Sequence, residues 1–176
     1  DLGAGGVQAP QVTTPEEAAA VVRAARFAPA GERGVCRYVR AAKYSAMPPA
    51  DYFAVANEAL VIVQLEGRRA LDNLERILDV PGLDVVFVGP YDLSQSLGVP
   101  GEIEHPRVVE CVERIVKARV KRGMACGTFT ESVPVAARWV ARGMRYISYS
   151  VDVGLMSAAC AMVTAELRQA CAGAAG

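Results

Sequence analysis

Two acidic residues stand where chemistry would be done. Val61-Ile62-Val63-Gln64-Leu65-Glu66 is an apolar run closed by a glutamine and a glutamate. Val86-Phe87-Val88-Gly89-Pro90-Tyr91-Asp92-Leu93-Ser94 is a second, in which an aspartate follows a strand-like stretch and a glycine–proline turn. Short apolar runs of this kind suit buried parallel strands. In parallel α/β folds the carboxyl ends of the strands form the active face. If the two strands are neighbours, Glu66 and Asp92 converge there. Two carboxylates are too few to cage calcium. They suit Mg²⁺ or Mn²⁺, which keep waters and take further oxygens from substrate. Each acid alone also has a plain structural reading, since acids at strand ends often cap the next helix. Asp92 could cap a turn through Leu93-Ser94-Gln95-Ser96.

The elements that must position these residues alternate strand with helix. Val7-Gln8-Ala9-Pro10 is a first strand, followed by Thr13-Thr14-Pro15-Glu16-Glu17, a helix start with an N-cap, a first-turn proline and acids favouring the dipole. That helix runs to about Arg26, and the proline and glycines of Phe27 to Gly34 make a loop. A helical segment from Ala50 to Leu60 leads into the Glu66 strand. Arg68 to Leu78 reads as one amphipathic helix with Leu71, Leu74 and Leu78 on a common face. After the strand Val85 to Val88 come a helix from Pro106 to Arg122, a strand Met124 to Thr128 and a helix Val133 to Arg142. A strand Tyr146 to Tyr149 and a helix from Val153 to about Ala170 complete the series. Nothing resembling a linker interrupts it, so residues 1–176 read as one domain. A closed (β/α)₈ barrel needs eight strands and about 250 residues, whereas an open doubly wound sheet accepts five. Periodicity does not choose between them.

Bulk properties narrow the substrate. The 176 residues are 52% hydrophobic and 22% charged, with 19 basic residues against 19 acidic ones. Zero formal charge and the lack of a basic run argue against nucleic acid as a partner and point to a small molecule. No stretch has the apolar length to cross a bilayer. Cys36, Cys111, Cys126, Cys160 and Cys171 never fall into a C-x-x-C pair, so reduced thiols in a cytoplasmic protein are the expectation. Several other residues read as structural. His105 opens a helix beside Pro106, Trp139 sits within a helix, and Ser132 caps one. Gly3-Ala4-Gly5-Gly6 precedes a strand, unlike a dinucleotide loop. Arg68 and Arg69 could reach an anionic substrate tail, although exposed helix arginines are commoner.

Gln64-Leu65-Glu66 and Phe87-Val88-Gly89-Pro90-Tyr91-Asp92-Leu93-Ser94 resemble the Q-[IL]-E and F-[IV]-G-P-x-D-L-S motifs of the HpcH/HpaI aldolase family. Phe27-x-Pro29-x-Gly31-x-Arg33-Gly34 is similar to its P-x-G-x-R-G loop, and His105-Pro106 to the H-P opening the helix after the metal aspartate. The likeness runs from the first residues to about Leu167. It implies an α/β fold, a partial TIM (β/α)₈ barrel of about the last five βα units. It also implies a class II aldolase: retro-aldol cleavage of a 4-hydroxy-2-oxo acid to pyruvate and an aldehyde, with Mg²⁺ or Mn²⁺ polarising the 2-oxo carbonyl and stabilising the enolate. By that resemblance Glu66 and Asp92 are the metal ligands and Gln64 lies beside the pyruvate. The backbone of Gly89, Pro90, Tyr91 and Asp92 receives its carboxylate, and Val35 and Phe129 line the aldehyde pocket. No lysine Schiff base is implied, so Lys43, Lys117 and Lys121 have no nucleophilic role.

The family also carries a histidine and an arginine on earlier strands, and the resemblance places this chain's first residue after both. A fragment of a longer protein, with very low activity of its own, is therefore expected, with an unpaired strand edge as an aggregation hazard. The resemblance further implies a homo-hexamer whose C-terminal helices pack across subunits. Two rivals remain: a citrate lyase β-chain or malyl-CoA lyase relative on the same barrel, and a non-catalytic scaffold that keeps the fold.

Overall fold

The computed structural model describes residues 1–174. Five strands, β1 (Gly6–Ala9), β2 (Leu60–Leu65), β3 (Val85–Val88), β4 (Ala125–Thr130) and β5 (Tyr146–Tyr149), lie in one sheet in the order of the chain. Every neighbouring pair is parallel. A doubly wound sheet reverses its strand order part-way. Here the order never reverses, so right-handed crossovers put every connecting helix on one side. The sheet is a curled arc of a (β/α) barrel.

Alternation along the strands sorts residues between two faces. Val61, Val63, Leu65, Val86, Val88 and Cys126 face the helices and join the main core with Leu74, Ile77, Val108, Val112 and Ile115. Ile62, Val85 and Phe87 face the concave side, with Ala125 and Phe129 packed beside them. Position 127, in register with Phe87 on that side, is glycine where a β-carbon would press on Tyr146, at 2.8 Å from its Cβ. The space lets the Phe87 and Tyr146 rings meet at 5.4 Å.

The helices are α1 (Pro15–Ala25), α2 (Pro49–Asn57), α3 (Arg68–Asp72), α4 (Leu74–Leu78), α5 (Pro90–Ser96), α6 (Pro106–Val120), α7 (Val133–Ala141) and α8 (Asp152–Ala174). The start of α1 is a capping box, with Thr14 accepting from the Glu17 N–H and Glu17 reaching back. Ser132 caps α7, and His105 caps α6 by accepting the Arg107 N–H at 3.2 Å. Trp139 is buried, with Arg138 and Arg142 lying over its ring.

Several boundaries differ from the sequence reading. Arg68 to Leu78 is two short helices broken at Asn73, whose amide donates to Thr13 O at 3.0 Å and Arg69 O at 3.2 Å. The side chain competes with the helix for backbone partners. The fourth strand extends to Thr130, which puts Phe129 inside it. A short helix, α5, begins directly after Gly89. The segment after α1 is more than a loop. Phe27, Ala42 and Tyr52 are buried in a satellite cluster, with Phe53 against both rings at 5.0 and 5.4 Å.

Candidate metal and substrate site

The strands β2 and β3 are neighbours, and their carboxyl ends lie side by side with Leu65 and Val88 in register. Glu66 follows β2 directly and is only 6% exposed. Both its oxygens are aimed. Oε1 accepts the backbone N–H of Gln11 at 2.7 Å, and Oε2 accepts from Gln64 Nε2. Gln64 is itself oriented, because its Oε1 accepts from Gln8 Nε2 at 2.7 Å. A chain of amides therefore runs from β1 through β2 to the carboxylate. Gln11 donates from a backbone with φ of 55°, a conformation uncommon outside glycine that turns its N–H towards Glu66.

Gly89 lies against this carboxylate. A β-carbon there would stand 2.7 Å from Gln64 Nε2 and closer still to Glu66 Oε2, so only glycine leaves the space clear. Gly89 is also the N-cap of α5, which places Asp92 in the first turn, exposed to solvent. The N–H groups of Tyr91 and Asp92 fall in that turn, where an α-helix has no internal acceptors. Proline at position 90 has none to offer.

The outer wall is aromatic and acidic. Tyr91 donates its hydroxyl to Glu131 Oε2 at 2.7 Å, and its ring stands 6.1 Å from that of Phe129. The hydrogen bond to Glu131, followed by burial, raises the Tyr91 pKa. Tyr149 donates to the Glu131 carbonyl at 3.2 Å.

The structure thus gathers Gln64, Glu66, Gly89, Pro90, Tyr91, Asp92 and Phe129 at one end of the arc. It does not bring Val35 there. Helix α1 carries the chain back towards the amino ends of the strands, where Arg26 pairs with Asp84 at 3.2 Å and Arg33 with Asp1 at 3.4 Å. Val35 follows on that loop, 65% exposed. Arg68 and Arg69 open α3 directly after Gly67 and are exposed. Gln8, Gln11, Glu131 and Tyr149 escaped the sequence reading. A glutamine inside the short run of β1 was a signal of the same kind as Gln64.

Whether a divalent cation fits can be judged from the donor set. Among the described residues Glu66 has no ion-pair partner. An ionised carboxylate buried without a cation is costly, so a cation beside Glu66 would offset that cost. No group of three or more His, Cys, Asp or Glu side chains gathers among the described residues. The protein would supply two carboxylates, which fits an ion that keeps waters and substrate oxygens.

A family model described as HpcH/HpaI aldolase/citrate lyase matches residues 1–159. The chain belongs to that family. It is 41% identical over 159 residues to a 2-keto-3-deoxy-L-rhamnonate aldolase of Escherichia coli K12, covering 89% of this chain and 59% of the relative. It is 40% identical, with the same coverage, to a 4-hydroxy-2-oxo-heptane-1,7-dioate aldolase of Klebsiella pneumoniae. These HpcH/HpaI relatives are therefore spanned over little more than half their length. Among solved structures, an HpcH/HpaI family protein from Burkholderia cenocepacia superposes with a TM-score of 0.86 at 38% identity, covering 94% of this chain and 66% of that one. An HpcH/HpaI aldolase from Desulfitobacterium hafniense gives 0.83 at 32% identity, with 94% and 64% covered. The sheet in chain order and the helices on one side are what these HpcH/HpaI structures share with it.

Proposed function

We propose that this chain carries the metal-carboxylate end of a class II pyruvate aldolase, which cleaves a 4-hydroxy-2-oxo acid to pyruvate and an aldehyde. The observation behind the reading is Glu66, a buried carboxylate with both oxygens oriented and, among the described residues, no cationic side chain paired to it. It lies against Gly89, the N-cap of the helix whose first turn carries Asp92. The two relatives named above as aldolases support the reaction class.

On this reading Glu66 and Asp92 hold Mg²⁺ or Mn²⁺, which when bound supplies the Lewis acidity that draws electrons towards the 2-oxo carbonyl. Gln64, pinned by Gln8, holds its amide towards the carboxylate and the pyruvate beside it. The N–H groups of Tyr91 and Asp92 face the pyruvate carboxylate, and Phe129 with the Tyr91 ring keeps water from the carbon that is cleaved. His105, engaged as a helix cap, takes no part in proton transfer. Turnover by these 176 residues alone is accordingly very low. A homo-oligomer, a hexamer by the family resemblance, fits the exposed Leu155, Met156, Met162, Val163 and Leu167 of α8. No helix among the described residues is long and apolar enough to cross a membrane, and we place the protein in the cytoplasm.

Calorimetry of Mn²⁺ binding, with and without oxalate as an enolate mimic, tests the reading without requiring turnover. Binding that oxalate tightens, and that Glu66→Ala and Asp92→Ala each abolish in folded protein, is the expected result. A folded chain that takes up no Mn²⁺ would sink the metal-site reading and favour a scaffold.

A further inference from the structure

The aldolase reading leaves the aldehyde open, and the outer wall of the mouth bears on it. Beyond Glu66 and Gly89 stand the Phe129 and Tyr91 rings, 6.1 Å apart. On the aldolase reading, the tail of a 2-oxo acid held at Glu66 and Asp92 would leave past these rings. At their outer edge stands Glu131, exposed, and held from two sides. Tyr91 binds its carboxylate at 2.7 Å and Tyr149 its backbone carbonyl at 3.2 Å. A glutamate on a loop would ordinarily swing freely; here one oxygen is held by Tyr91 and the other remains free to accept.

The first charges that follow the central strands have one sign. The acids at the carboxyl ends of β2, β3 and β4 are Glu66, Asp92 and Glu131. Arg138, the basic residue nearest to Glu131 in sequence, pairs with Glu104 instead. A divalent cation held by Glu66 and Asp92 would offset their charge and leave that of Glu131 uncompensated.

We propose that Tyr91 and Glu131 determine substrate class at this mouth, admitting an aldehyde with a neutral, hydroxyl-bearing tail and disfavouring one that ends in a carboxylate. The hydroxyl of such a tail donates to the free oxygen of Glu131. A terminal carboxylate has no proton to donate and meets a like charge, while the aromatic pair behind it offers no cation. The inference rests on the aldolase reading, and the experiment separates the two.

Binding of 2-oxoheptanoate and 2-oxoheptanedioate to the Mn²⁺-loaded full chain is measured by calorimetry. Both lack the 4-hydroxyl, so neither is cleaved, and they differ only in the terminal carboxylate. The wild type is expected to bind the neutral tail about fivefold or more tightly, the scale of one like-charge contact in a wet site. Glu131→Gln, which keeps the acceptor for Tyr91 and loses the charge, brings the two within about twofold, and Glu131→Lys reverses the order. Oxalate, which has no tail, reports the metal end alone. No Mn²⁺-dependent oxalate binding by the wild type overturns the aldolase reading and this inference with it. Normal oxalate binding, with equal affinity for the two tails or a preference that Glu131→Gln leaves unchanged, overturns the role of Glu131 and spares the aldolase reading.

Discussion

The centre of the arc and its flanks are built differently. Strands β2, β3 and β4 are covered on one face by the helical core and filled on the other by Ile62, Val85, Phe87 and Phe129. At one flank β1 offers an open edge, where Leu2 and Val7 are exposed and a groove of about 770 Å³ runs between the chain start, α1 and α2. At the other flank α8 exposes nearly its whole length. The centre is complete by itself, whereas the flanks carry apolar surface of the sort that another surface covers. Glu66 and the proposed metal site belong to the centre, which is why a buried, oriented Glu66 can exist in this chain at all.

The largest effect that would test this contrast comes from packing. Leu74 is fully buried in the main core, and Leu74→Ala is expected to cost about 3 kcal/mol. Leu155 of α8 is exposed, and Leu155→Ala should stay within about 0.5 kcal/mol. Urea unfolding of the two variants measures the difference. Equal costs would mean that α8 is packed in solution and that the flank is not a free surface.

Next comes Gly89, where the centre meets the site. The added β-carbon of Gly89→Ala has to displace Glu66 or Gln64. Supporting groups at metal sites typically matter by about 10–100-fold in affinity, and a loss of that size in Mn²⁺ binding is expected at nearly unchanged stability. A smaller effect is expected at the flank. Thr14→Ala removes the capping bond to Glu17 and should cost about 1 kcal/mol by urea unfolding, with Mn²⁺ affinity unchanged.

What the sequence disclosed follows the same division. The central strands were legible because their apolar runs announce burial on both faces, and β5 fell on the residues expected. Helix starts at Thr14, His105 and Ser132 were legible because caps are local chemistry. The break at Asn73 was not, since it depends on Thr13, sixty residues away in sequence. The aromatic cluster of Phe27, Tyr52 and Phe53 is likewise a contact between distant segments. Chain order within the sheet, which decided barrel arc over doubly wound sheet, leaves no trace in periodicity. Glu66 and Asp92 could be named from spacing and resemblance. Gln8, Gln11 and Glu131 needed the register that sets one strand beside another, and Val35 needed the path of the loop.

Gln8 joins the two regions, and the smallest effect is expected there. Its amide lies on the exposed flank strand, yet its acceptor is Gln64, which donates to the buried Glu66. Gln8→Leu keeps the size of the side chain and removes the donor. Gln64 is then free to turn its amide and present oxygen to a carboxylate, a repulsive arrangement that exchanges with the native one. The bond is exposed, so its net worth is about 1 kcal/mol or less, which corresponds to a loss of about threefold to fivefold in Mn²⁺-oxalate affinity. Because β1 and β2 stay paired through their backbones, urea stability should not move. A loss of stability with unchanged affinity would mean that Gln8 staples the flank strand in place and has no part in orienting the site. The expected pattern, affinity without stability, would show the flank strand reaching the metal end through one amide.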